Sequence, residues 1–213
     1  MEGSIAFIKG FLTSGSLIIA IGSQNAFVIR QGLLKNNIFI VTLICIICDS
    51  FLIFIGVYGV GGFVKENTLI MLVLSSSGAL FLMYYGFLSF KAACQGVSTL
   101  EISKISDSVV SKRVKTVIAT FAVSLLNPHV YMDTVVIIGG LASVLPSYEK
   151  RSFAIGALLA SSIWFVLLSY AASKLTPLLT NPKTWKIINM IIAIIMWAIS
   201  VNLIMYIFDK MVI

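Results

Sequence analysis

Hydrophobic residues in this chain fall in long unbroken runs rather than in the short periodic stripes of a soluble helix. No charged side chain occurs between Gly10 and Ile29, Asn67 and Phe90, Ser152 and Ser173, or Ile187 and Phe208. Each run reaches or exceeds the ~20 residues a helix needs to cross about 30 Å of hydrocarbon. Two further stretches carry a single charge: Asn36 to Val64 contains only Asp49, and Thr116 to Tyr148 only Asp133. The pattern predicts six transmembrane helices, near 5–29, 38–62, 68–90, 116–144, 152–174 and 185–208. Helices follow rather than strands, because the runs are continuous and lack the period-two alternation of a β-barrel. The first run does not read as a secretory signal: Lys9 lies inside it, and no short apolar region leads into a small-residue cleavage site.

Composition agrees with this pattern. Of 213 residues, 59% are hydrophobic and 11% charged, too little charge for a soluble surface. The expected fold class is therefore an all-α integral membrane protein, a single transmembrane domain over 1–213. The net charge of +7 reads as topology rather than as a nucleic-acid footprint. With six spans, loops one, three and five share a side and hold ten of the 15 Lys and Arg residues, Lys91, Lys104, Lys112, Arg113 and Lys115 among them. That excess places the long polar loop, 91–115, in the cytoplasm and both termini outside.

The same loop divides the chain into halves of three spans each. An odd number means that the second half enters the membrane from the opposite side, so the plan is compatible with a 3+3 inverted repeat, as in many secondary transporters. The first helix of each half carries polar groups near its middle or end: Gln24 and Asn25 in one, Asn127, Pro128 and His129 in the other.

Two carboxylates are the strongest chemical signal. A charged side chain midway along a span costs on the order of 2.5–3.5 kcal/mol on insertion scales, so Asp49 and Asp133 are expected to face protein or water and to act there. The bland alternative, a structural ion pair, is weakened because no Lys or Arg lies mid-span. Pro128 lacks a backbone N–H and frees the carbonyl of Ser124, which predicts a helix break; His129 and Asp133 are four apart and can share a face. Gly22 is the corresponding break in the first half. Asn127 as a mere cap on a kinked helix is the competing reading.

Other residues default to structure. Cys45 and Cys48 form a CxxC inside an apolar helix, which predicts packed thiols rather than a redox or metal site. Trp164 and Trp197 read as core, Trp185 as an interfacial anchor. Asn189 and Asn202 read as interhelical hydrogen-bond formers, and Gly10, Ser14, Gly15, Gly22 and Ala26 as close-approach positions. No metal and no cofactor is expected.

Two intramembrane carboxylates without fixed cations form a site that attracts positive charge: a proton, a metal ion or a cationic organic solute. The amides of Gln24, Asn25 and Asn127 both donate and accept, and suit a zwitterionic head group. The residues alone thus lead to a carrier of a small cationic or zwitterionic solute.

The strings "QNAFVIRQG" at 24–32, "ICD" at 47–49, "YGFLSFK" at 85–91 and "LNPHVYMDT" at 126–134, with "IIN" at 187–189 and "MW" at 196–197, resemble the lysine/arginine exporter (LysE/ArgO) family. The resemblance covers essentially the whole chain. It implies a non-enzymatic exporter of arginine, lysine or both across the bacterial inner membrane, by exchange for protons. It also implies site residues at Asp49, Asp133, Gln24, Asn25, Asn127 and Pro128. The sequence allows a homodimer. One departure stands out: the family pattern Pro-x-Gly-Pro-Gln-Asn is replaced here by Ala20 and Ser23 in place of the prolines. The first helix is accordingly expected to be less sharply broken, with Gly22 its only breaker. The rival readings are an exporter of neutral amino acids or of metal cations in the same superfamily, an intramembrane aspartyl protease, and a thiol-relay enzyme. The protease reading lacks its Gly-x-Gly-Asp motif, since Val130, Tyr131 and Met132 precede Asp133.

Overall fold

The computed structural model describes residues 2–19, 22–59, 68–95, 109–127, 130–177 and 182–212. All regular structure among them is helical: α1 (Glu2–Ile18), α2 (Ser23–Leu33), α3 (Ile38–Val57), α4 (Thr68–Gln95), α5 (Val109–Leu125), a π-wound segment π1 (Tyr131–Ile138), α6 (Gly139–Ser143), α7 (Ser147–Lys174) and α8 (Pro182–Val212).

By length and composition, α3, α7 and Lys183–Lys210 of α8 can each cross a membrane, and α1 with α2 forms a further, bent pair. The expected single span 5–29 is therefore two helices, whose axes differ by 75°. This corrects the expectation of a mild break: the bend is sharp without either family proline. Gly22 enters α2 with extended backbone, φ −102° and ψ −176°, which any residue adopts. The expected span 116–144 is likewise interrupted between Leu125 and Val130, then continues as π1 and α6. Of the expected loop 91–115, the first residues belong to α4 and the last to α5.

Interhelical contacts are organised by small residues, as expected where lipid supplies no hydrophobic drive between helices. Gly10 of α1 lies against the backbone of Phe153 in α7, and Gly156 of α7 against the backbone of Phe7, so these two helices cross at backbone contact. Gly56 of α3 meets Thr134 and Gly139 in the same way. A Cβ at Gly22 would meet no described atom within 4 Å, so the close-approach role expected of this glycine is not its role. The long helices α4 and α8 form a second pair: Trp197 Nε1 donates to the Met83 carbonyl at 3.2 Å, and Ser200 Oγ to that of Ala79 at 2.9 Å.

Between these two pairs sit α2, α3, α5 and π1. Helix α3 shows the logic of a membrane helix. Phe39, Leu43, Ile47, Phe51 and Phe54 form an exposed apolar stripe, while Val41, Cys45, Cys48, Asp49 and Leu52 are buried. Its polar group points inward, the reverse of a soluble amphipathic helix.

Candidate functional site

Asp49 occupies the buried face of α3 and is 3% exposed. Its Oδ1 accepts from Gln24 Nε2 at 3.2 Å, and its Oδ2 from Ser161 Oγ at 3.1 Å. The carboxylate is thus held by α2 on one side and α7 on the other. A buried charge needs such donors to be tolerated. Two turns nearer the start of α3, Thr42 Oγ1 donates to Ser169 Oγ at 2.6 Å, a second polar tie between α3 and α7.

The first turn of α2 is built by its polar side chains. Asn25 Nδ2 donates to the Ile18 carbonyl at 2.7 Å, satisfying an acceptor that the end of α1 leaves open. The amide is oriented from its other end, where Trp164 Nε1 donates to Asn25 Oδ1 at 3.2 Å. Ser23, fully buried, accepts from Asn127 Nδ2 at 3.1 Å. The two helix breaks, one from each half of the chain, therefore touch.

Of these groups, Ser23, Gln24, Asn25, Asp49 and Asn127 line one cavity of about 340 Å³, within the ~300–1,000 Å³ usual for small-molecule sites. Gly22, Ser23, Gln24, Asn25, Asp49, Asn127 and Asp133 all contribute to its wall, which includes no Lys or Arg among the described residues. Asp133 comes from π1, and π-winding is frequent at functional sites. Apolar walls are supplied by Leu17, Ile138, Phe165 and Leu203. Of the residues singled out in the sequence, Pro128 and His129 lie outside the described residues, as does any meeting of His129 with Asp133.

Some assignments change. Trp164, read as core packing, is bonded to the cavity residue Asn25; a mid-membrane indole N–H that needs a partner was the available signal. Ser161, the second donor to Asp49, carried no signal of its own, being one small polar residue in an apolar run. Trp185 is not an interfacial anchor: it is 2% exposed, and its Nε1 has no hydrogen-bond partner among the described residues. Asn189 bonds the Trp185 carbonyl in its own helix at 3.0 Å rather than a neighbouring helix. Asn202 lines the cavity. Cys45 and Cys48 are buried free thiols, with Cys45 Sγ 3.9 Å from Ser124 Oγ. Among the described residues no group of three or more His, Cys, Asp or Glu side chains could hold a metal ion.

Apolar membrane-length helices, two helix breaks in contact, and paired acids on an internal cavity define a multi-pass membrane translocator. The chain belongs to the LysE type translocator family, whose pattern it matches over residues 15–206. It is 37% identical to the arginine exporter protein ArgO of Photorhabdus laumondii over 91% of this chain and 92% of that one. To the lysine exporter LysE of Corynebacterium diphtheriae it is 35% identical, covering 93% and 98%. The arginine exporter protein ArgO of Escherichia coli O157:H7 is 34% identical, covering 92% of each. No solved structure matches the chain. As a family of translocators, it is a family of transporters and not of enzymes.

Proposed function

We propose that this protein exports basic amino acids, arginine, lysine or both, across the bacterial inner membrane in exchange for protons. The observation that carries this reading is the shared cavity: Asp49 and Asp133 line it together with four side-chain amides, those of Gln24, Asn25, Asn127 and Asn202, and, among the described residues, no cationic side chain. Two carboxylates attract the side-chain charge of a basic amino acid. The amides of Gln24, Asn25 and Asn127, with the N-terminal end of α2, suit its α-ammonium and α-carboxylate. The relatives named as arginine and lysine exporters support the substrate class.

Charge supplies the reason for coupling. Moving one positive charge outward against about 100 mV, inside negative, costs about 2.3 kcal/mol. A proton moving inward restores the balance. An aspartate that holds proton and substrate in turn performs both tasks, with Asp49 and Asp133 as the acidic pair.

The transport plan proposed is six spans in a 3+3 inverted arrangement, with 91–115 cytoplasmic. Reciprocal packing supports it: α1 lies on α7 while α5 lies on α3, α2 lies on α7 while π1 lies on α3, and α4 lies on α8.

Purified protein in proteoliposomes loaded with arginine, lysine, threonine or leucine tests the reading. An imposed pH gradient should drive counter-movement of arginine or lysine alone, and collapsing the gradient should abolish accumulation. Movement of threonine or leucine, or of divalent metal ions, with none of arginine or lysine would overturn it.

A further inference from the structure

Of the five buried side-chain atoms without a hydrogen-bond partner among the described residues, four lie on α2, α4 and α8, on residues that do not line the central cavity: Arg30 Nε, Ser89 Oγ, Asn189 Oδ1 and Trp185 Nε1. Ser89 and Asn189 are fully buried. Arg30 closes α2, with its guanidinium carbon 5.0 Å from the centre of the Tyr85 ring. Ser89 stands one turn beyond Tyr85 on the same buried face of α4. The antiparallel register of α4 and α8, fixed by Met83 with Trp197 and Ala79 with Ser200, sets Ser89 level with Ile191, within a turn of Asn189. Phe27, Tyr85, Ile192 and Met196 belong to one packed cluster, so α2, α4 and α8 meet there. Trp185 lies one turn further out along α8.

The end of α2 and the face of Tyr85 answer the charge of Arg30. Neither takes the Nε–H, which has no hydrogen-bond partner among the described residues; the guanidinium donors form a planar fork suited to a carboxylate. Ser89 adds a hydroxyl donor, and Asn189 Oδ1 an acceptor for an ammonium. Buried Phe27 lies between Arg30 and Gln24 along α2, so this junction is distinct from the cavity of Asp49.

We propose that the junction of α2, α4 and α8 is a second substrate station, where Arg30 and Ser89 take the α-carboxylate of an amino acid and Asn189 accepts from its α-ammonium. The proposal rests on the basic amino-acid reading above and extends it. The central cavity has amides for the carboxylate but no fixed cation among the described residues, so Arg30 adds a charged check on the carboxylate that the aspartates cannot make.

The test is competition against labelled arginine in proteoliposomes, using unlabelled arginine and agmatine, its decarboxylated counterpart. In the unaltered protein agmatine should compete at least about tenfold more weakly, the worth of a charge-assisted hydrogen bond. Arg30→Gln should weaken arginine by a similar factor, leave agmatine unchanged and so narrow the discrimination by about tenfold. Arg30→Lys, a point charge without the fork, and Ser89→Ala should each reduce it in part, and they carry the test if Arg30→Gln does not assemble. Undiminished discrimination in these variants, or equal weakening of both competitors, overturns the proposal. So does an Arg30→Gln effect seen only in vesicles containing phosphatidylglycerol, which would make the bound anion a lipid phosphate. If the unaltered protein moves no basic amino acid at all, it is the underlying reading that fails.

Discussion

Asn127 donates its side-chain amide to the hydroxyl of Ser23 at 3.1 Å, joining two helix breaks that lie 104 positions apart in the chain. Ser23 stands where the family pattern has a proline, and a proline could not accept this bond. The chain thus replaces a local helix-breaking residue with a tertiary tie between the halves of the site. Removing either partner should loosen both breaks together. In a double-mutant cycle, Ser23→Ala and Asn127→Ala should couple by about 0.5–1.5 kcal/mol, read from thermal unfolding in detergent. Additive effects would mean that the contact contributes nothing.

Glycines should divide sharply by position. Gly10→Ala and Gly156→Ala each push a methyl group into the backbone of the opposing helix, and overpacking of this kind costs about 1–3 kcal/mol. Gly22→Ala meets open space and an ordinary extended backbone. It should change stability by less than about 0.5 kcal/mol. Melting curves of the three variants in detergent check the contrast.

In the proposed scheme Trp164 acts through Asn25, to whose Oδ1 its indole N–H donates, as a positioning residue rather than a binding one. Trp164→Phe removes the donor to Asn25 Oδ1 while keeping an aromatic ring. Apparent substrate affinity should fall about tenfold, the loss of one hydrogen bond that orients a binding amide, with the maximal rate less affected. A melting temperature lowered with no change in apparent affinity would assign the indole to packing alone.

The three cysteines should react unequally. Cys45 and Cys48 are buried within the helix bundle, whereas Cys94 is exposed. Maleimide should label one thiol in the folded protein and three after denaturation, counted by mass spectrometry. Cys45→Ala and Cys48→Ala should retain export, since neither thiol enters the transport scheme.

Much of this site was legible because the membrane makes polarity expensive. Asp49 and Asp133 stand out as the sole charges in their apolar runs, and both reach the same cavity. Gln24, Asn25 and Asn127 were visible for the same reason. What stayed hidden depends on how helices meet rather than on what they contain. Runs of apolar residues cannot show that 5–29 bends by 75° or that the segment around Asp133 is π-wound. Ser161 carries no signal of its own, and Trp164 reads as core, until α7 is set against α2 and α3. Trp185 sits at the edge of an apolar run, where an interfacial ring is the usual outcome; only the packing of α8 buries it. Arg30, counted as a loop charge, is instead the last turn of α2 against Tyr85.

In the proposed transport scheme Asp49 and Asp133 together hold the transported cation. Asp49→Asn and Asp133→Asn keep side-chain size and remove the charge, so each protein should still assemble. Gradient-driven arginine and lysine movement, measured in proteoliposomes at matched protein content, is the direct measurement. Each substitution should lower transport by at least about tenfold, as expected for a lost charge-assisted contact of roughly 1.5–3 kcal/mol. Normal rates from both variants would contradict the scheme.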